Sequence, residues 1–126
     1  MARKRSPILT EGELRLMNIL WEKGTATVKE VVDALPSDQR LAYTTVLTTM
    51  QNLEKKAVIA HTEKGRAFVY YPVVHQDEAQ QKATRYIINR FFNDSPDQLV
   101  LNILEHEEID AATLARLRKL LEESES

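Results

Sequence analysis

Residues 41–74 read LAYTTVLTTMQNLEKKAVIAHTEKGRAFVYYPVV, and a change of period inside this stretch decides the architecture. At about 100° per residue, Val46, Met50, Leu53 and Ala57 fall on one helical face, with Tyr43 at its border. Thr44, Thr48, Gln51, Asn52 and Lys55 fall on the opposite face. The pattern predicts a helix from about Ala42 to Ala57. Threonine loses rotamer freedom in a helix because its side chain branches at Cβ. Thr44, Thr45, Thr48 and Thr49 are therefore a poor choice for helix stability alone, and that conflict marks the outer face as serving another purpose.

The second half of the stretch changes character. Val58 to Thr62 and Ala67 to Val74 are rich in β-branched and aromatic residues. Between them stands Glu63-Lys64-Gly65-Arg66, where Gly65 supplies the positive φ of a tight hairpin. Pro72 has no N–H to give to a ladder and places the second strand at an edge.

Working backwards, Thr10-Glu11-Gly12-Glu13 has the spacing of a capping box, with Leu9 and Leu14 placed for a hydrophobic staple. Leu14, Met17, Leu20 and Trp21 follow at helical spacing, and Gly24 is a C-terminal stop. A helix over Glu11 to Lys23 is expected. Thr27-Val28-Lys29-Glu30 repeats the box, Val28, Val31, Val32 and Leu35 form a buried stripe, and Pro36 ends the segment. A helix held by two others and followed at once by a basic-tipped hairpin is a winged helix-turn-helix. Its usual task is to place the third helix in the DNA major groove.

Working forwards, Asp77 to Phe92 carries Ala79, Ala83, Tyr86, Ile87 and Phe91 at helical spacings. Ser95-Pro96-Asp97-Gln98 is a helix start, with a capping serine and a proline at the first position. Leu99 to His106 follows, and Asp110 caps a last helix holding Leu114, Leu117, Leu120 and Leu121. Three short helices of this length bury their apolar faces poorly alone, and a second copy of the chain is the simplest cover. The expected fold is mainly α with a small β-hairpin wing: a winged-helix DNA-binding domain over residues 1–75 and a helical dimerisation domain over 76–126.

Composition narrows the class. The 126 residues carry a net charge of -2, but the charge is polarised. Residues 1–75 hold 11 Lys/Arg against 8 Asp/Glu, and residues 76–126 hold 6 against 11. Only the front half is suited to meet phosphate. The absence of cysteine excludes disulfides, thiolate zinc sites and cysteine nucleophiles. No apolar run approaches the roughly 18 residues that span a bilayer, and MARKRSPILT lacks the apolar core of a signal peptide. A cytoplasmic protein without membrane insertion is expected.

The segments AYTTVLTTMQNLEKKAVI, GRAFVYYPV and DQLVLNILEHEEID, with Leu14–Trp21, resemble the penicillinase-repressor family of winged-helix transcriptional repressors, the BlaI/MecI/CopY group. The resemblance runs from about Leu9 to Leu121. It implies a homodimeric repressor of antibiotic-resistance type that binds a palindromic operator in double-stranded DNA and uses its C-terminal helices to dimerise. In the best-known members a membrane-bound β-lactam sensor triggers proteolysis between an Asn and a Phe. The matching candidate here is Asn102-Ile103, which keeps the asparagine and lacks the phenylalanine. Copper-responsive members use a C-terminal cysteine motif, which this chain does not have. The inducing signal is thus left open.

The candidate DNA-binding residues are Thr44, Thr45, Thr48, Gln51, Asn52 and Lys55 on the third helix, Lys64 and Arg66 at the wing tip, and Thr27 at a helix start. Threonine offers a hydroxyl and a methyl to base edges and thymine methyls, while lysine and arginine suit phosphate or the minor groove. Arg3, Lys4 and Arg5 are either an electrostatic arm or a disordered tail. Tyr43, Trp21, Tyr70 and Tyr71 fit core or wing packing better than stacking on bases. The dimerisation candidates are Tyr86, Ile87, Phe91, Leu99, Leu101, Ile103, Leu104, Leu114, Leu117, Leu120 and Leu121.

Two other classes compete. His61, His75 and His106 have no metal-ligand spacing, and no nucleophile set, phosphate loop or paired carboxylates stand out, so no cofactor, metal or catalytic residue is expected. A winged helix used as a protein-interaction module, without sequence-specific DNA binding, would carry an acidic or apolar outer face on its third helix. The threonine, amide and lysine face here favours DNA.

Overall fold

A computed structural model describes residues 9–125; Arg3, Lys4 and Arg5 lie outside the described residues. The chain separates into two compact units that divide between Tyr86 and Ile87.

The first unit opens with α1 (Glu11–Lys23). Thr10 accepts the Glu13 amide at 3.2 Å while the Glu13 carboxylate accepts the Thr10 amide at 2.9 Å, so the capping box is closed in both directions. Gly24, at φ 84°, ends the helix. The buried face differs from the expected one. Leu16, Met17 and Leu20 are fully buried, whereas Leu14 is exposed. The buried arc begins at Glu13, which an apolar pattern skips, and Leu14 stands about 100° away from it. Trp21 sits partly buried and donates its indole N–H to the Val74 carbonyl at 2.9 Å, tying the end of the hairpin to α1.

α2 (Val28–Ala34) is capped by the same box, from Thr27 and Glu30. Val28, Val31 and Leu35 are buried and Val32 is partly so. Leu35 is already extended because the ring of Pro36 disfavours a helical residue before it. A 3₁₀ turn at Ser37–Gln39 leads to α3 (Tyr43–Lys55), which buries Val46, Met50 and Leu53.

α3 ends two residues earlier than the periodicity predicts. The Val58 amide bonds the Leu53 carbonyl at 3.0 Å and the Ala57 amide bonds the Glu54 carbonyl at 2.9 Å, a Schellman pairing with Ala57 at φ 62°. Ala57, expected on the buried face, is therefore outside the helix and exposed.

β1 (Ile59–Lys64) and β2 (Ala67–Pro72) pair antiparallel from Ile59↔Pro72 to Lys64↔Ala67. β1 runs two residues closer to the tip than expected, while β2 starts at Ala67 as expected, leaving a two-residue turn with Gly65 at φ 64°. On its other side Tyr70 exchanges both backbone hydrogen bonds with Ala26, at 2.8 and 3.0 Å. This single bridge docks the hairpin on the α1–α2 connection. With Ile59 and Tyr70 also buried, the three helices and the hairpin share one core. The arrangement is a winged helix.

α4 (Gln76–Phe91) leads out of this unit, followed by α5 (Pro96–His106) and α6 (Ala111–Glu125). Ser95 caps α5 by accepting the Gln98 amide at 3.3 Å; its own amide bonds the Phe92 carbonyl, not the Gln98 side chain. Asp110 caps α6 by accepting the Thr113 amide at 2.7 Å, and that bond holds its carboxyl below the usual aspartate range. Of α4, only Ile88 is buried; α5 and α6 bury no residue. No helix among the described residues is long and apolar enough to cross a membrane.

Candidate nucleic-acid interface

The outer face of α3 is set by what anchors its inner face. With Val46, Met50 and Leu53 in the core, Thr44, Thr45, Thr48, Gln51, Asn52 and Lys55 are all exposed. The Thr48 hydroxyl donates to the Thr44 carbonyl at 2.9 Å, and Thr49 does the same to Thr45. These back-bonds fix the rotamers of side chains that would otherwise move freely.

Two structures hold the helix in place. At its C-terminal end Lys56 reaches the Glu13 carboxylate at 2.7 Å, joining α3 to the cap of α1. Glu13 is 5% exposed. Burial pushes its carboxyl up, but the hydrogen bonds from Lys56 and Thr10 outweigh this and hold it below the ordinary glutamate value. On the wing side His61 Nδ1 lies 2.7 and 2.8 Å from the Glu54 oxygens, and its ring stacks on Phe68 at 4.1 Å. The recognition helix is thus fixed to α1 at one flank and to β1 at the other.

Two clefts flank α3. One, of about 400 Å³, lies along the start of α1 and is lined by Thr10, Thr49, Asn52, Lys55 and Lys56 among others. The other, of about 480 Å³, lies between α2, the start of α3 and the wing, and is lined by Thr27, Lys29, Tyr43, Leu47, Arg66 and Phe68 among others. Thr27 and Arg66, far apart in sequence, are brought together here. Thr27 has its hydroxyl and its amide engaged in the α2 cap. Lys64 ends β1 and is exposed, and it does not line this cleft.

The tyrosine assignments divide. Tyr70 is buried, and desolvation, aided by Glu54 and Tyr43, pushes its hydroxyl above the usual tyrosine value. Trp21 also serves packing. Tyr43, expected to border the core, is 52% exposed and opens onto the cleft beside Arg66. Neither Tyr43 nor Lys29 stood out as a site residue in the sequence. The helical wheel that puts Tyr43 with Leu47 on the wing-facing flank was the available signal.

The fold and this face define a winged-helix regulator built around an exposed polar recognition helix. A sequence profile of the penicillinase repressor family matches residues 9–123, and the chain belongs to that family, one of transcriptional repressors and not of enzymes. It is 28% identical over 120 residues to the penicillinase repressor of Bacillus licheniformis, covering 95% of this chain and 94% of that protein. It is 26% identical over 113 residues to the methicillin resistance regulatory protein MecI of Mammaliicoccus sciuri, covering 90% of this chain and 92% of that one. The solved DNA-binding domain of the repressor BlaI superposes with a TM-score of 0.52 at 28% identity, over 60% of this chain and 93% of that domain.

Proposed function

We propose that the chain is a homodimeric, DNA-binding transcriptional repressor acting in the cytoplasm, with α3 in the major groove of a palindromic operator. The observation that carries the DNA reading is the exposed Thr44, Thr48, Gln51, Asn52 and Lys55 face, rigidly held and flanked by Lys64 and Arg66. Thr44, Thr45 and Thr48 read base edges, Gln51, Asn52 and Lys55 add base or phosphate contacts, and Lys64, Arg66 and Thr27 serve the backbone. Residues 1–75 form the DNA-binding part and residues 76–126 the dimerisation part.

The dimer reading rests on exposed apolar side chains. Ile87, Phe91, Leu101, Ile103, Leu104, Leu114, Leu120 and Leu121 are exposed, while Tyr86, Leu99 and Leu117 are half-buried. Pairing with a twin covers them and sets two recognition helices about 34 Å apart, or a multiple of that.

The derepressing signal stays unidentified in this reading; were it a membrane-sensor protease pathway, the bond to cut would be Asn102-Ile103, which keeps the family's asparagine and lacks its phenylalanine. That bond lies inside α5, so cleavage requires α5 to open first.

The deciding experiment is a mobility shift on the gene's own upstream region with wild type and Thr48→Ala. Wild type binds a palindromic fragment, and Thr48→Ala loses about tenfold on the operator with little change on random duplex. Equal losses on both duplexes remove Thr48 from base readout, and no shift by wild type on any fragment overturns the DNA reading.

A further inference from the structure

The cleft between α2, α3 and the wing contains two donors that the repressor reading has not used, Tyr43 and Lys29. The geometry points to this cleft as a seat for one DNA backbone phosphate, with the Tyr43 hydroxyl and the Lys29 ammonium joining Arg66 as its donors. This inference rests on the DNA-binding reading above and deepens it.

Three observations carry it. First, Tyr43 is the first residue of α3 and half exposed, although an aromatic ring at a helix start beside a core would ordinarily be covered. Second, Thr44, Thr48 and Lys55 stand about 100–140° round the helix from Tyr43, so a helix that turns those residues to the groove floor turns Tyr43 to the groove wall, where the backbone runs. Third, the cleft that Tyr43 lines is also lined by Lys29 and Arg66, one from α2 and one from the wing tip. Two cationic residues and a tyrosine, lining one cleft from three elements, match a phosphate, which takes both charge and hydrogen bonds. A base edge would not call for two cations.

The chemistry separates the two donors by experiment. A lysine that neutralises a phosphate releases counterions, and its loss reduces the salt dependence of binding by about 0.9 in the log–log slope. A tyrosine hydroxyl is neutral and changes affinity without changing that slope. Binding of the full-length protein to its operator and to a random duplex is measured across a salt series for wild type, Lys29→Ala and Tyr43→Phe. Both side chains are exposed, and circular dichroism confirms that each variant is folded.

Lys29→Ala should flatten the slope by about 0.9 on both duplexes. Tyr43→Phe should weaken both duplexes by the same factor, about tenfold, at unchanged slope, as befits one hydrogen bond to a charged group. An unchanged slope for Lys29→Ala, or unchanged affinity for Tyr43→Phe, overturns the phosphate seat. So does a Tyr43→Phe loss confined to the operator, which would make Tyr43 a base reader. Failure of wild type to bind either duplex breaks the DNA-binding reading instead.

Discussion

The two units of this chain place their apolar side chains in opposite ways. In the first, Leu16, Met17, Leu20, Val46, Met50 and Leu53 are sealed from water, and the exposed face of α3 is polar. In the second, Phe91 is 75% exposed and Leu121 62% exposed, and neither α5 nor α6 buries a residue. Both units contain side-chain-capped helices, at Thr10 and Thr27 in the first and at Ser95 and Asp110 in the second, so local helix formation does not separate them. The difference is closure. Three helices and a docked hairpin enclose a core, while α5 and α6 leave their apolar faces uncovered within the chain. Covering apolar surface is worth about 25 cal/mol per Å², and the proposed dimer would draw on that gain.

The sharpest way to break the contrast is to charge the open face. Leu101→Glu combined with Leu104→Glu should give a monomer by sedimentation and lower operator affinity by about 10²–10⁴-fold, the advantage of two linked sites. An intact dimer would show that the exposed leucines serve something else. Next in size, Leu20→Ala should cost about 2–5 kcal/mol in denaturant unfolding, independent of protein concentration. Leu121→Ala should instead cost an amount that changes with protein concentration, because the interface it weakens forms between chains.

A smaller effect concerns Glu13. Its folded carboxyl is held below the ordinary glutamate range, so the stability it adds is present above the unfolded value and is lost as pH falls through the folded one. Glu13→Gln should cost about 1–2 kcal/mol at neutral pH and should remove this acid-side loss, as read from denaturation midpoints between neutral and acid pH. The smallest effect is a gain. Ala57 holds a left-handed conformation that favours glycine, and Ala57→Gly should stabilise the protein by about 0.5–1 kcal/mol, visible as a raised melting temperature.

What could be read in advance follows the range of the forces involved. The boxes at Thr10 and Thr27, the stops at Gly24 and Pro36 and the turn at Gly65 are local chemistry, and each stands where its residues put it. Leu14 and Tyr43 were misplaced because burial is decided by neighbours distant in sequence, and Ala57 because the helix closes on a local Schellman turn just before it. Glu13 heads the α1 core arc only because Lys56, 43 residues away, pairs with it. The Ala26–Tyr70 bridge and the Trp21–Val74 bond are likewise long-range and carry no local pattern. Of the interface, the helix face and wing tip were legible, since both follow from period and charge. The Lys29–Tyr43 cleft was not, because three elements must meet before it exists.

The Thr48 back-bond reaches beyond the protein to the alphabet of its target. A hydroxyl that gives its proton to the Thr44 carbonyl keeps only lone pairs and a methyl group for the groove. Such a side chain can accept from the amino group of adenine or cytosine, or lie against the methyl of thymine, but it has nothing to give to the two acceptors of guanine. At the base that Thr48 is proposed to read, a guanine whose O6 and N7 face the hydroxyl should therefore be disfavoured against adenine, cytosine or thymine.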